Sequence, residues 1–182
     1  MSTQRQRQRQ RKPQATVIGD SEATPEAKDA ARKIGQLLAR RGITVITGGR
    51  GGVMEAVCQG ASDAGGLAIG ILPSEDLEDA NPWCQVVIPT GLGHARNALT
   101  ALAGDLVIAI GGAAGTLSEL CFAWMHGKPI LAMKDHSGWS GKLAGQAIDH
   151  RSSSKIIECS SLEELDEALI KVCSRLGLRI SC

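Results

Sequence analysis

The segment at residues 103–119, AGDLVIAIGGAAGTLSE, constrains the fold more than any other part of this chain. Its apolar run at 105–110 is typical of a strand that is buried on both faces. The run ends in a glycine-rich turn, after which the pattern predicts a helix that begins near Thr116. Free backbone N–H groups at such a helix start, approached by glycines without side chains, can bind an anion. The sequence therefore predicts a strand–turn–helix unit suited to an anionic group.

Glu119 is an unusual residue to find beside an anion site, because a carboxylate and a phosphate repel each other. Its presence indicates that the site also binds a polar group, such as a hydroxyl or amino group, or that it moves a proton.

The rest of the chain repeats this alternation of apolar runs and helical stripes. Strands are predicted at 15–19, 43–47, 67–71, 84–88, 105–110, 129–133 and 155–159. Helices are predicted from about residue 24, over 53–64, over 94–103, from 116, within 140–150 and from 161. Strands that alternate with helices favour parallel pairing through right-handed crossovers. We expect an α/β fold with a doubly wound, Rossmann-like parallel sheet of about seven strands in a single domain.

The N-terminal segment differs in composition from the rest of the chain. Residues 1–14 carry five basic side chains and no acidic one, which leaves 15 basic and 19 acidic side chains and a charge of −4 for the remainder. Alternating Gln and Arg is typical of disorder, so we expect a basic tail at 1–14, a Rossmann-like domain at 15–176 and a C-terminal tail at 177–182. The tail either is simply solvated or contacts nucleic acid or anionic lipid through charge alone. The acidic body argues against a dedicated nucleic-acid-binding domain.

The six cysteines have no CxxC spacing, which favours reduced, mostly buried thiols in a cytoplasmic protein over a disulfide framework or a zinc site. Cys58, Cys84 and Cys121 are expected in the core, and no metal ligand is predicted. No apolar run approaches the roughly 18–20 residues of a membrane span, so no membrane association is expected.

Three turns are expected to converge beyond the carboxyl ends of the strands, where such sheets bind ligands: 19–21, 48–52 and 111–116. The 48–52 turn lacks the last glycine of GxGxxG, because Met54 stands there, and the 111–116 turn lacks the lysine of a P-loop. Taken alone, each glycine-rich turn fits tight-turn geometry as well as phosphate binding. The candidate ligand-binding residues are Asp20, Ser21, Gly48, Gly49, Arg50, Gly51, Arg96, Asn97, Gly111, Gly112, Gly115, Thr116 and Glu119.

Three motifs, GGRGGVM at 48–54, GHARNA at 93–98 and GGAAGTLSE at 111–119, together resemble the LOG-like superfamily, formerly described as lysine decarboxylase-like. The resemblance covers roughly residues 15–172. Within the superfamily the chain is most similar to the molybdenum cofactor carrier proteins. It also resembles the LOG phosphoribohydrolases, which split nucleoside 5′-monophosphates into free base and ribose 5-phosphate.

In the phosphoribohydrolase branch, Arg96 and Glu119 fall on the catalytic arginine and glutamate, and 111–116 falls on the phosphate-binding loop. Two departures favour the carrier branch. Those enzymes have proline before the double glycine and lysine after the arginine, where this chain has Ile110 and Asn97. The resemblance therefore implies a non-catalytic protein that binds, protects and delivers the molybdenum cofactor (molybdopterin), and the alternative is a phosphoribohydrolase.

The resemblance also implies the partners. The cargo is the molybdenum cofactor, with a molybdate or phosphate anion or a nucleotide as alternatives, and molybdoenzymes are the recipients. A homo-oligomer, either dimer or tetramer, is expected to form through the helices around 99–102 and 117–124. Two other interpretations stay open: a salt bridge between Arg96 and Glu119 that serves no ligand, and a regulatory protein that binds a nucleotide or an oxyanion.

Overall fold

The computed structural model describes residues 11–150 and 155–181, in which seven strands alternate with six α-helices. The strands are β1 (Gln14–Gly19), β2 (Thr44–Thr47), β3 (Ala68–Leu72), β4 (Val86–Pro89), β5 (Leu106–Ile110), β6 (Ile130–Met133) and β7 (Ile157–Cys159). The helices are α1 (Pro25–Arg40), α2 (Val53–Asp63), α3 (Asn97–Ala103), α4 (Ala114–Met125), α5 (Trp139–Leu143) and α6 (Leu162–Arg175). Short 3₁₀ turns lie at Leu77–Asp79 and Gly93–Arg96.

All neighbouring strands pair in parallel, in the order β4-β3-β2-β1-β5-β6-β7. The chain builds one half of the sheet outward from β1 and then returns to β5, which pairs with β1 on its other side. The predicted α/β class and the single-domain, doubly wound parallel sheet of seven strands are confirmed. The reversal of strand order leaves a crevice beyond the carboxyl ends of β1 and β5, which is where such sheets bind ligands.

The core lies on both faces of the sheet, because the side chains of a strand alternate between its faces. On one face, Val17 and Ile108 belong to a cluster that includes residues of α1, α2 and α6. On the other face, Ile18 and Val107 pack with apolar residues of α4. All five residues of β5 are buried, as expected for a central strand covered by helices on both sides.

Several element boundaries differ from the sequence-based expectations. The helix expected from Thr116 begins two residues earlier, at Ala114. No side chain caps this helix, so the sequence has no capping residue that marks its start. The helix expected over 94–103 is divided into the 3₁₀ turn Gly93–Arg96 and α3. Cys58 lies in the core as predicted, whereas Cys84 and Cys121 are only partly buried. Cys84 precedes an exposed edge strand, and Cys121 lies on the less buried side of α4.

Both ends of the described chain contact the body of the fold. The Arg11 guanidinium donates two hydrogen bonds to the Asp105 carboxylate, at 2.8 and 2.5 Å. At the other end, the backbone N–H of Ser181 donates to the Arg41 carbonyl at 2.9 Å, and Leu178 is buried. Most of the expected basic tail, residues 1–10, lies outside the described residues. No helix among the described residues is long and apolar enough to cross a membrane.

Helices α1 and α2 approach each other closely because glycines stand at their contact. A Cβ added at Gly60 would overlap the carbonyl oxygen of Arg32, and one added at Gly35 would overlap the carbonyl oxygen of Val57. Together these two helices cover one face of β1 and β2, and α2 begins directly after the 48–52 turn. Their contact therefore determines where that turn lies.

We predict that Gly60→Ala lowers the free energy of unfolding by about 1–3 kcal/mol through overpacking. Helix propensity alone would favour alanine by about 1 kcal/mol, so a loss of stability reports the helix–helix contact. Urea denaturation measures the change. Gln59→Ala, the preceding position of the same helix, is the control and should change stability by less than about 0.5 kcal/mol. Equal stability of the two variants would contradict the close packing.

Candidate functional site

A cavity of about 150 Å³ lies at the carboxyl ends of β1 and β2, between the 3₁₀ turn that precedes α3 and the first turns of α4. Nine of the thirteen candidate residues line it: Asp20, Ser21, Gly48, Arg50, Arg96, Asn97, Gly115, Thr116 and Glu119. The structure thus brings most of the candidate residues together in one cavity. The other four, Gly49, Gly51, Gly111 and Gly112, lie in the same turns without contributing to the cavity lining.

Arg96 and Glu119 form a buried ion pair in this cavity. The Arg96 Nη1 lies 3.6 Å from the Glu119 Oε1, and each side chain is 9% exposed. Nη1 also donates to the Thr100 hydroxyl at 3.0 Å. The Nε of Arg96 is buried and has no hydrogen-bond partner among the described residues. A buried donor without a partner is costly, so this N–H is an unsatisfied polar group beside the cavity.

The charge of Glu119 is tuned by its surroundings. Burial raises the pKa of the Glu119 carboxyl to about 7, although the Arg96 charge acts in the opposite direction. Burial also lowers the pKa of Arg96, while Glu119 raises it and the like charge of Arg50 lowers it. Near neutral pH, Glu119 can therefore accept a hydrogen bond as a carboxylate or donate one as a carboxylic acid.

The Arg96 guanidinium lies against the backbone of the 48–52 turn, where no side chain could be accommodated. A Cβ at Gly48 would lie 2.6 Å from the Arg96 Nη2 and 2.7 Å from the Met54 Sδ. Glycine at this position therefore makes room for the arginine. Gly48 was predicted as a ligand-binding residue, whereas the structure brings it close to the Arg96 side chain that lines the cavity.

The glycine turn after β5 is tied down by side chains from elsewhere in the chain. The Gly112 N–H donates to the Asp20 carboxylate at 2.7 Å, and the Gly111 N–H donates to the Ser140 hydroxyl at 2.7 Å. Both glycines have positive φ, 63° for Gly111 and 107° for Gly112, which explains why glycine occupies both positions. These two N–H groups are already paired, so they are not free donors to a ligand.

The free donors lie one step further along the chain, in the first turn of α4. The N–H groups of Ala114, Gly115 and Thr116 precede the first intrahelical acceptor, which is the Ala113 carbonyl that Leu117 uses. Ala113, Gly115 and Thr116 line the cavity, so the positive end of the α4 dipole faces it. Among the described residues, the unpaired N–H groups of this unit thus lie at the helix start, where the sequence predicted them, whereas those of Gly111 and Gly112 are occupied.

Asn97 links the 3₁₀ turn to α4. Its amide Nδ2 donates to the Ser118 hydroxyl at 2.8 Å, and that hydroxyl donates to the Gly115 carbonyl at 2.7 Å. The asparagine side chain thus fixes the position of the Arg96 turn against the first turn of α4. This is a positioning role, which a flexible lysine at the same place would not perform in this way.

Five lining residues were absent from the candidate set: Ile18, Gly19, Met54, His94 and Ala113. His94 directly precedes the buried part of the Arg96 turn and is exposed, so it stands at the cavity entrance. Met54 is buried one position into α2. The sequence shows that Met54 follows the 48–52 turn closely. Its orientation toward Arg96, however, depends on how α2 packs against the sheet.

We predict that Glu119 makes stability depend on pH. Between its unfolded pKa of 4.5 and its folded pKa of about 7, the folded state holds the proton and the unfolded state releases it. The free energy of unfolding therefore falls as pH rises through this range, by on the order of 3 kcal/mol. Urea denaturation from pH 4.5 to 8 measures this for the wild type and Glu119→Gln. The difference between the free energies of unfolding of the wild type and of Glu119→Gln should change between pH 4.5 and 7 and then level off. Parallel profiles would contradict the raised pKa.

The fold recurs in proteins of known structure. The molybdenum cofactor binding protein from Rippkaea orientalis is 38% identical, with a TM-score of 0.80 over 90% of this chain and 99% of that chain. The molybdenum cofactor carrier protein from Chlamydomonas reinhardtii is 26% identical, with a TM-score of 0.80 over 90% of this chain and 99% of that one.

Among curated sequences, a cytokinin riboside 5′-monophosphate phosphoribohydrolase from Arabidopsis thaliana is 36% identical over 111 residues. The alignment covers 56% of this chain and 49% of that protein, so it spans about half the length of the enzyme. These similarities support the LOG-like resemblance and its carrier branch. Residues 12–166 match the SLOG cluster4 family, and the chain belongs to that family.

Proposed function

We propose that this protein binds the molybdenum cofactor and carries it without cleaving it. The observation that carries the proposal is the buried Arg96 guanidinium, whose Nε has no partner among the described residues, in the cavity that the first turn of α4 also lines. Arginine and a helix N-terminus are complementary to phosphate and to other oxyanions. The similarity to the Rippkaea and Chlamydomonas proteins supports the same ligand class.

Each part of the cavity matches one part of such a ligand. The first-turn N–H groups at Gly115 and Thr116 bind the phosphate oxygens of the pterin side chain. Arg96 donates to the phosphate or to an oxo group on molybdenum. Glu119 pairs with a ring N–H group or a hydroxyl group, since its pKa of about 7 allows it to accept or donate a hydrogen bond. The dithiolene of the cofactor supplies sulfur to the metal, so the protein needs no thiolate ligand.

Two features favour carrying over cleavage. Asn97 occupies the position of the lysine that the resemblance assigns to the hydrolases, and its amide is engaged by Ser118 and is not directed at a ligand. Glu119 is substantially protonated near neutral pH because of its burial. A carboxylic acid stabilises an oxocarbenium-like centre less well than a carboxylate does. Assembly into a dimer or tetramer and delivery to molybdoenzymes remain predictions of the proposal.

We predict saturable retention of the cofactor. Purified protein is incubated anaerobically with cofactor released from a molybdoenzyme, and bound molybdenum and pterin are measured against cofactor concentration. Arg96→Lys should weaken binding by at least about tenfold, because a point charge replaces a planar two-donor fork. Arg175→Ala, an exposed arginine in α6, is the matched control and should bind like the wild type.

Two results would contradict the carrier proposal: uptake that rises linearly with cofactor concentration, or Arg96→Lys binding equal to that of the wild type. Competition by molybdate and by inorganic phosphate, each added alone, distinguishes recognition of the anion from recognition of the whole cofactor. Displacement by either anion at low concentration would favour the regulatory oxyanion-binding interpretation.

A phosphoribohydrolase is the second candidate, because Arg96 and Glu119 are both present and lie in one cavity. Under the carrier proposal, wild type incubated with AMP releases no more adenine than Glu119→Gln does. Chromatographic detection of free adenine measures this. Release by the wild type clearly above that of the variant would replace the carrier proposal with nucleotide cleavage.

A further inference from the structure

Two thiols lie in contact next to the residues that hold the 48–52 turn. Cys58 belongs to α2 and Cys84 to the loop before β4, and their sulfur atoms are 3.7 Å apart. Cys58 is fully buried, whereas Cys84 is only partly buried. The described cysteines are all free thiols.

The Cys58 sulfur is surrounded by hydrogen-bond donors. The Thr47 hydroxyl lies 3.6 Å from it and the Asn81 amide Nδ2 lies 3.8 Å from it, in addition to the Cys84 thiol. Hydrogen bonding to Cys84, then to Thr47 and Asn81, lowers the pKa of the Cys58 thiol against the effect of its burial. The contact with Cys58 and burial raise the pKa of the Cys84 thiol. The hydrogen-bond donors around Cys58 thus favour a thiolate at this sulfur over one at Cys84.

The residues that contact the Cys58 sulfur also hold the 48–52 turn. The Thr47 hydroxyl accepts the Gly49 N–H at 3.0 Å. The Asn81 amide donates to the Arg50 carbonyl at 3.1 Å, and the Asn81 N–H donates to the Gly49 carbonyl at 2.8 Å. The chain of contacts therefore runs from the thiol pair directly to the backbone that packs against Arg96.

Cys84 is also packed tightly against this turn. A Cβ at Gly70 would lie 2.8 Å from the Cys84 sulfur and 3.0 Å from the Gly49 Cα. Cys84, Gly70 and Gly49 therefore form a continuous stack without spare space. Movement of the Cys84 sulfur must be accommodated by the residues that surround it.

We propose that Cys58 and Cys84 form an oxidation site: a peroxide converts them to a disulfide, and this loosens the 48–52 turn of the ligand cavity. The inference goes beyond cofactor binding and does not depend on the identity of the ligand. It explains why two cysteines meet at the one turn whose backbone supports Arg96.

The chemistry balances with hydrogen peroxide as the oxidant. One thiolate attacks the O–O bond, which breaks to give a sulfenic acid on that sulfur and, after protonation, water. The second thiol attacks the sulfenic sulfur, and its proton leaves with the expelled oxygen as a second water. Two thiols and one peroxide thus give one disulfide and two waters, and the two electrons pass from sulfur to oxygen.

Bond formation brings the sulfurs from 3.7 Å to about 2.0 Å apart. The sulfurs then no longer carry thiol protons, and the contacts of Cys58 with Thr47 and Asn81 are weakened. These two side chains hold Gly49 and Arg50, so we expect the turn to open more often once the disulfide has formed. A reductant such as dithiothreitol should restore the original turn.

The first experiment identifies the bond. Wild-type protein is treated with an equimolar amount of hydrogen peroxide and alkylated in denaturant, and its peptides are mapped by mass. We expect loss of alkylation at Cys58 and Cys84 and a linked peptide pair two hydrogens lighter, which dithiothreitol reverses. If both cysteines remain alkylated, or if either is linked to another cysteine, the proposal is wrong.

The second experiment tests the effect on the turn, using amide hydrogen exchange of the reduced and oxidised proteins. Exchange at Gly49 and Asn81 should become faster by about fivefold on oxidation, the effect of weakening one hydrogen bond. Cys84→Ser, at the half-buried position, should show no change with peroxide, and Cys121→Ser should behave like the wild type. A disulfide that leaves the exchange at Gly49 and Asn81 unchanged would overturn the coupling.

Discussion

β1 pairs with β5, and a crevice lies beyond the carboxyl ends of these two strands. The helices that follow the strands, α1 and α4, lie on opposite sides of this crevice. Residues 15–19 are in register with 106–110, so the turns after the two strands end side by side. Asp20, which follows β1, therefore reaches the glycine turn after β5 and accepts the Gly112 N–H. Its own carbonyl accepts the N–H of Val53 at the start of α2. Through this residue the ends of three chain segments are fixed relative to one another, and the cavity is formed between them.

The Arg96–Glu119 pair is the polar element that this crevice encloses. Removing two charges from water is costly, and the 3.6 Å contact compensates only in part, because Nε has no partner and the Glu119 pKa is raised. A pair optimised for stability alone would be shorter and fully hydrogen-bonded. The remaining cost is the kind that a bound ligand relieves, since a ligand provides the missing acceptor and displaces water. The geometry therefore argues against the interpretation of the pair as a salt bridge that serves no ligand.

Local features of the sequence were sufficient to predict the order of elements and most of the residues that meet in the candidate cavity. Apolar runs predicted each strand, and the helix predicted from 161 is α6, at whose start Ser161 accepts the Glu164 N–H. Contacts between distant residues were not predictable in this way. Asp20 and Gly112 are 92 residues apart, and Cys58 and Cys84 are 26 residues apart, with the end of α2 and all of β3 between them. Such pairs depend on the packing of whole elements, which a single sequence does not specify.

Asp20 also changes how the anion site should be understood. The glycine turn already binds an anion, which is the carboxylate of Asp20 itself. A ligand phosphate at the first turn of α4 would therefore approach a negative charge that is already in place. Arg96 offsets that repulsion, and Arg50, which also lines the cavity, adds a second positive charge. Selectivity for a ligand then depends on this balance of charges, because the N–H groups at the helix start donate to any oxyanion that reaches them.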